Sequence, residues 1–100
     1  MAAVFAALGD PTRLTLMTRL NQGESRSITQ LTVGLGLTRQ GITRHLRVME
    51  EAGLVISQRV GRESRYRFNP QTVDHARDYL ARVSLQWDEA IQRLQQFLGE

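Results

Sequence analysis

The sequence has no cysteine and no lysine, two prolines, six aromatic residues and no apolar run of membrane-spanning length. Without cysteine there can be no disulfide, no thiolate metal ligand and no cysteine redox switch. No stretch of 18 or more apolar residues is available to cross a bilayer, and Met1 leads into Ala2, Val4 and Phe5 without a charged stretch or a cleavage site. No membrane partner is expected, and a cytoplasmic location is. The sequence also lacks a GxSxG elbow, a phosphate-binding P-loop and an HExxH zinc motif, and its two histidines, His45 and His75, stand far apart. Binding is therefore the expected class, not catalysis, and no metal or cofactor is expected.

What is present is ordinary globular composition over 100 residues, 41% hydrophobic and 23% charged, which fits one domain over residues 1–100. All thirteen basic residues are arginine, whose planar guanidinium donates two hydrogen bonds at once to phosphate or guanine. The charge is uneven. Residues 38–67 hold seven arginines against Glu50, Glu51 and Glu63, whereas the last third is net acidic. A solvated, functionally silent face would also account for this asymmetry.

Start and stop signals divide the chain. Residues 1–8 are short and apolar. Asp10-Pro11 pairs an N-cap with a proline at the first helical turn, opening a helix whose stripe is Leu14, Leu16, Met17 and Leu20 and which Gly23 ends. Ser27 and Gln30 have capping-box spacing ahead of Ile28 and Leu31. After the break Gly34-Leu35-Gly36-Leu37, Thr38 caps a helix carrying Ile42, Leu46 and Met49 on one side and ending at Gly53. The period then changes: Leu54 to Val60 and the alternation of Tyr66 and Phe68 with Arg65 and Arg67 read as a hairpin around Gly61-Arg62-Glu63-Ser64. Asn69-Pro70 restarts a helix whose apolar stripe runs Val73, Ala76, Leu80, Val83, Trp87, Ile91, Leu94 and Leu98. That helix overhangs so small a domain, and its stripe calls for a second copy.

The expected fold is mainly α with a two-stranded β-hairpin, a winged helix-turn-helix in the order α-α-α-α-β-β-α. The helix after the break is the expected reader of the major groove. Thr38, Arg39, Gln40, Thr43, Arg44 and Arg47 all lie off its apolar stripe and all donate hydrogen bonds. Arginine suits guanine and glutamine suits adenine, while threonine hydroxyls and a helix N-terminus suit phosphate. Arg59, Arg62, Arg65 and Arg67 suit a wing tracking the phosphate backbone, with Arg62 foremost, although they would also keep an exposed hairpin soluble. The bland readings favour packing for His45, solvated surface for Asp74, His75 and Asp78, and dimer core for Trp87. Gly41 inside the reading helix is unfavourable by about 1 kcal/mol against alanine and suggests close backbone approach to DNA. The competing function is a winged helix that docks protein through its hairpin and long helix.

"VFAALGDPTRLTLMTRL", "LGLTRQGITRHLRVMEEAGLV" and "QRVGRESRYRFN" together resemble the ArsR/SmtB family of winged-helix repressors over nearly the whole chain, most specifically across Thr38 to Val55. The resemblance implies a homodimer joined by the first and last helices, about residues 1–8 and 70–98, which assigns Val4, Phe5, Leu80, Val83, Trp87, Ile91 and Leu94 to the interface. It also implies binding to duplex operator DNA that blocks transcription. The tail "QWDEAIQRLQQFL" looks like the branch without metal-binding residues. Where the family's thiolate sensors carry cysteines this sequence has Ser27, Thr29 and Thr32, and only His75 is available for the arrangement on the last helices. The inducer stays unnamed.

Overall fold

A computed structural model describes residues 1–20 and 23–99. In chain order the elements are α1 (Ala2–Leu8), α2 (Pro11–Leu20), β1 (Arg26–Ser27), α3 (Ile28–Thr32), α4 (Arg39–Glu51), β2 (Val55–Val60), β3 (Glu63–Phe68) and α5 (Pro70–Phe97). The mainly helical winged architecture is as expected, with one addition. The hairpin gains a third strand, β1, so the sheet order is β1-β3-β2 with both pairings antiparallel. Two residues are too few to show a period-two pattern, and Arg26 and Ser27 pair with Tyr66 and Arg65 through contacts some forty positions away.

The helix starts follow from local chemistry. Asp10 Oδ2 accepts from the Arg13 amide at 3.1 Å, and this hydrogen bond is the main cause that lowers the Asp10 pKa below its ordinary 3.8. Ser27 and Gln30 form a full capping box, each side chain accepting from the other's backbone amide. Thr38 Oγ1 accepts from the Gly41 amide at 3.0 Å, and Asn69 caps α5 ahead of Pro70. α2 stops at Leu20, where the Gly23 amide reaches the Leu20 carbonyl. The wing turn is tighter than the four residues expected: Val60 pairs with Glu63, leaving Gly61 and Arg62 as the two central residues. Gly61 has φ +64°, the left-handed value a two-residue hairpin asks of its first central position.

Leu16, Leu20, Leu31, Ile42, Leu46, Met49 and Leu54 are the fully buried centre, drawn from α2, α3, α4 and the entry to β2. Val55 and Tyr66 close it from the sheet. Burial is the main cause that raises the Tyr66 pKa, reinforced by the nearby Glu50 carboxylate. Two expectations need correction here. Leu14, placed on the buried stripe of α2, is 49% exposed, because that helix packs only along the Leu16–Leu20 edge. Val4, assigned to the dimer interface, is 6% exposed and belongs to the protomer's own core.

α5 stands apart. Of its 28 residues only Ala76 is buried; near its start Phe5 of α1 meets Tyr79 ring to ring at 5.6 Å, and further along Leu80, Trp87, Ile91 and Leu94 are all at least half exposed. The radius of gyration, 17.9 Å, exceeds the roughly 13 Å of a compact 100-residue domain, and the longest extent is 65 Å. The long helix is what stretches it.

Candidate nucleic-acid interface

α3, the Gly34–Gly36 break and α4 make the helix-turn-helix. Gly34 and Gly36 have φ of +76° and +65°, backbone that L side chains rarely adopt, and they let the chain reverse before Thr38. Arg19 of α2 fastens this turn by donating from Nη1 to the carbonyls of Leu31 and Val33. Sequence reading missed that role, since nothing local marks a guanidinium that will cap another helix.

α4 presents its two sides as expected. Ile42, Leu46 and Met49 are buried, while Arg39, Gln40, Thr43, Arg44 and Arg47 line one open groove on the opposite side with no carboxylate among them. Arg44, Arg47 and Gln40 are exposed. Two members are partly engaged: Arg39 donates to Thr29 Oγ1 at 3.1 Å, and Thr43 Oγ1 donates to the Arg39 carbonyl. Among the described residues the Thr38 hydroxyl accepts from Gly41 and donates to none. Gly41 has a nearer explanation than DNA approach, because a Cβ there would meet Thr38 Oγ1 at 3.2 Å, tight enough to disturb the cap.

The wing arginines do not act as one group. Alternation along the paired strands puts Arg59 with Tyr66 on one face and Arg65 with Arg67 on the other, with Arg62 at the exposed tip. Arg65 is a correction. Its guanidinium donates to the Ser25 carbonyl at 2.8 Å and to Ser25 Oγ at 3.0 Å and leans on Glu63 at 3.4 Å, tying the wing to the residue just ahead of β1. It holds the wing and is not available to hold a ligand.

His45 packs behind the reading face. Its Nδ1 lies 3.1 Å from Arg13 Nη1 and 3.9 Å from Asp10 Oδ2, while Arg13 Nε donates to the Ala7 carbonyl. Arg13, which sequence reading passed over, thus joins the end of α1 to α4. Ser27, Thr29 and Thr32 spend their hydroxyls on the α3 cap, on Arg39 and on the Thr29 carbonyl. Asp74 pairs with Arg77 at 3.0 Å. Among the described residues no group of three or more histidine, aspartate or glutamate side chains is placed to hold a metal ion, and no helix is long and apolar enough to cross a membrane.

A helix with an acid-free exposed groove of arginine, glutamine and threonine, followed by an arginine-tipped hairpin, defines a winged helix-turn-helix of the DNA-binding class. The comparisons with known proteins agree. A helix-turn-helix domain family matches residues 8–58. An uncharacterized HTH-type transcriptional regulator of Bacillus subtilis, YuzN, is 41% identical over 66 residues, covering 60% of this chain and 72% of that protein. The solved structure of an ArsR-like transcriptional regulator from Rhodococcus sp. RHA1 superposes with a TM-score of 0.81 at 36% identity, covering 96% of this chain and 90% of that one. The homodimeric winged helix-turn-helix DNA-binding domain of a Mycobacterium bovis protein superposes with a TM-score of 0.66 at 25% identity, covering 88% and 78%. The chain belongs to the ArsR family of helix-turn-helix transcriptional regulators.

Proposed function

We propose that this regulator is a repressor that binds a near-palindromic duplex operator as a homodimer, in the cytoplasm. The observation that carries the reading is the acid-free groove of Arg39, Gln40, Thr43, Arg44 and Arg47 on α4, in a chain whose wing carries an exposed arginine at its tip. Gln40, Thr43 and Arg44 lie on the N-terminal half of the helix, the part that reaches base edges in this architecture, and they read sequence there. Thr38, Arg39, Arg62 and the exposed Arg59 and Arg67 hold phosphate, fixing orientation without reading sequence.

The dimer follows from α5. Its exposed apolar side is longer than one protomer can cover, and Phe5 anchors α1 against its first turns, so the terminal helices form one continuous surface for a second copy. The homodimeric relative from Mycobacterium bovis supports this assembly. Two-fold symmetry then sets the two α4 helices about one DNA turn apart, hence a near-palindromic site. Control comes from an organic ligand, a protein partner or the protein's own concentration, since the hydroxyls at positions 27, 29 and 32 are poor ligands for soft metals.

The test is a titration of promoter-region duplex by fluorescence anisotropy at physiological salt, with a transcription reporter alongside. Repression together with affinity at least about 10³-fold above that for a scrambled duplex is the expected result. Equal affinity for both duplexes would leave only a protein-docking role.

A further inference from the structure

Behind the reading groove, α4 meets α2 through one polar contact. His45 Nδ1 lies 3.1 Å from Arg13 Nη1 and 3.9 Å from Asp10 Oδ2. A guanidinium has hydrogens to give and no lone pair to accept with, so this contact defines the state of the ring: Nδ1 is the acceptor, the ring proton is on Nε2, and the imidazole is neutral. Asp10 is too far to hydrogen-bond the ring, and its Oδ2 already accepts from the Arg13 amide as the cap of α2.

Arg13 is held from the other side as well. Its Nε donates to the Ala7 carbonyl, one of the last carbonyls of α1, which no later turn of that helix can satisfy. The guanidinium is thereby clamped between the end of α1 and the flank of α4, and it cannot swing clear of the imidazole without leaving α1 uncapped. Few other charges face the ring. α1 and α3 have no ionisable side chain, β2 has only Arg59, and on α4 itself Arg44 precedes the ring while Glu51 lines, with Arg13 and Val48, the hollow where α1 meets α4. One carboxylate, one guanidinium and a neutral ring sum to zero. A proton on Nδ1 ends its role as acceptor and leaves two cations in contact with Asp10 alone to answer them. The side chains of His45 and Asp10 are 26% and 31% exposed, so water can deliver that proton. The neighbours in the chain give the displacement its target: Arg44 lines the reading groove, and Leu46 is fully buried.

We propose that Arg13 and His45 are positioning residues for the reading helix, holding α4 to the end of α1 only while the imidazole is neutral, so that a proton on His45 loosens the helix and weakens binding to duplex DNA. The proposal rests on the DNA reading above and adds a proton-sensitive hold on the reader. Its sign is the reverse of simple charge: positive charge gained by a protein strengthens its attraction for phosphate, so titration of His45 and His75 by charge alone would tighten binding on acidification.

Anisotropy titrations of promoter-region duplex at constant salt, at about pH 7.5 and about pH 5.5, bracket the titration of an imidazole. Wild type and His75→Asn are expected to lose affinity at least about fivefold at the lower pH, the size of one ordinary hydrogen bond. His45→Asn puts an oxygen that does not titrate near the place of Nδ1; its affinity is expected to be the same at both pH values and to recover most of what His45→Leu, which has no acceptor, loses. Imidazole nitrogen shifts of the DNA-free wild type at the higher pH, read by NMR, are expected to place the His45 proton on Nε2. Duplex binding absent at both pH values overturns the DNA reading itself. Wild-type affinity that is flat or rises on acidification, a fall that His45→Asn shares, or a ring proton on Nδ1 overturns the proton-sensitive hold and leaves the DNA reading standing.

Discussion

Arg62→Ala isolates the wing's electrostatic contribution. Arg62 sits exposed at the hairpin tip and has no hydrogen bond or ion pair among the described residues, so removing it disturbs nothing inside the protein. If each copy in a dimer loses one phosphate contact, the slope of log affinity against log salt becomes shallower by about 1.8, at about 0.9 per contact. Between 50 and 200 mM salt the variant should therefore lose about twelvefold less affinity than the wild type, from a weaker starting point. Anisotropy titrations on one duplex at five or six salt concentrations give both slopes directly. Arg65→Ala is the internal control: its guanidinium is committed to Ser25, so its salt slope should stay within about 0.3 of wild type while thermal stability falls. A wild-type slope in Arg62→Ala, or a larger slope change in Arg65→Ala, would refute the assignment of the wing residues.

Thr38→Ala removes the cap of α4 and should destabilise by about 1 kcal/mol, seen as a drop of about 4 to 8 °C in melting temperature, with Thr38→Ser close to wild type. Asp10 has a folded pKa below its ordinary value, so its stabilising hydrogen bond to the Arg13 amide is fully present above the ordinary value and is lost as pH falls through the lowered one. Asp10→Asn should accordingly flatten the acid limb of a urea-stability profile below about pH 4, and an unchanged limb would contradict this. Zinc, cadmium, nickel and arsenite at low micromolar levels should change operator affinity less than tenfold, a coupling under about 1.4 kcal/mol; stoichiometric uptake with a larger loss would overturn the argument from hydroxyl-lined α3.

Much of this was legible in the chain because it is local. Caps at Asp10, Ser27, Thr38 and Asn69 act over three residues or fewer, and the stripe Ile42, Leu46, Met49 states which side of α4 is buried and therefore which side is left open to a ligand. What escaped depends on partners distant in sequence. β1 exists because β3 pairs with it, Arg65 is withdrawn by Ser25 forty positions away, and Arg13 meets His45 across thirty-two. Periodicity alone could not tell that Leu14 lies beyond the packed edge of α2, nor that Val4 is core and not interface.

The central claim is that α4 reads sequence in duplex DNA. It is tested most directly by selecting tight binders from a duplex pool with a randomised core, then measuring the winning sequence against a scrambled one with wild type and Arg44→Ala. The account predicts a winner with two inverted half-sites about one helical turn apart, and a loss of about 1 to 3 kcal/mol in Arg44→Ala confined to the selected sequence. A pool that yields no consensus, or an Arg44→Ala variant that weakens both duplexes equally, would contradict it.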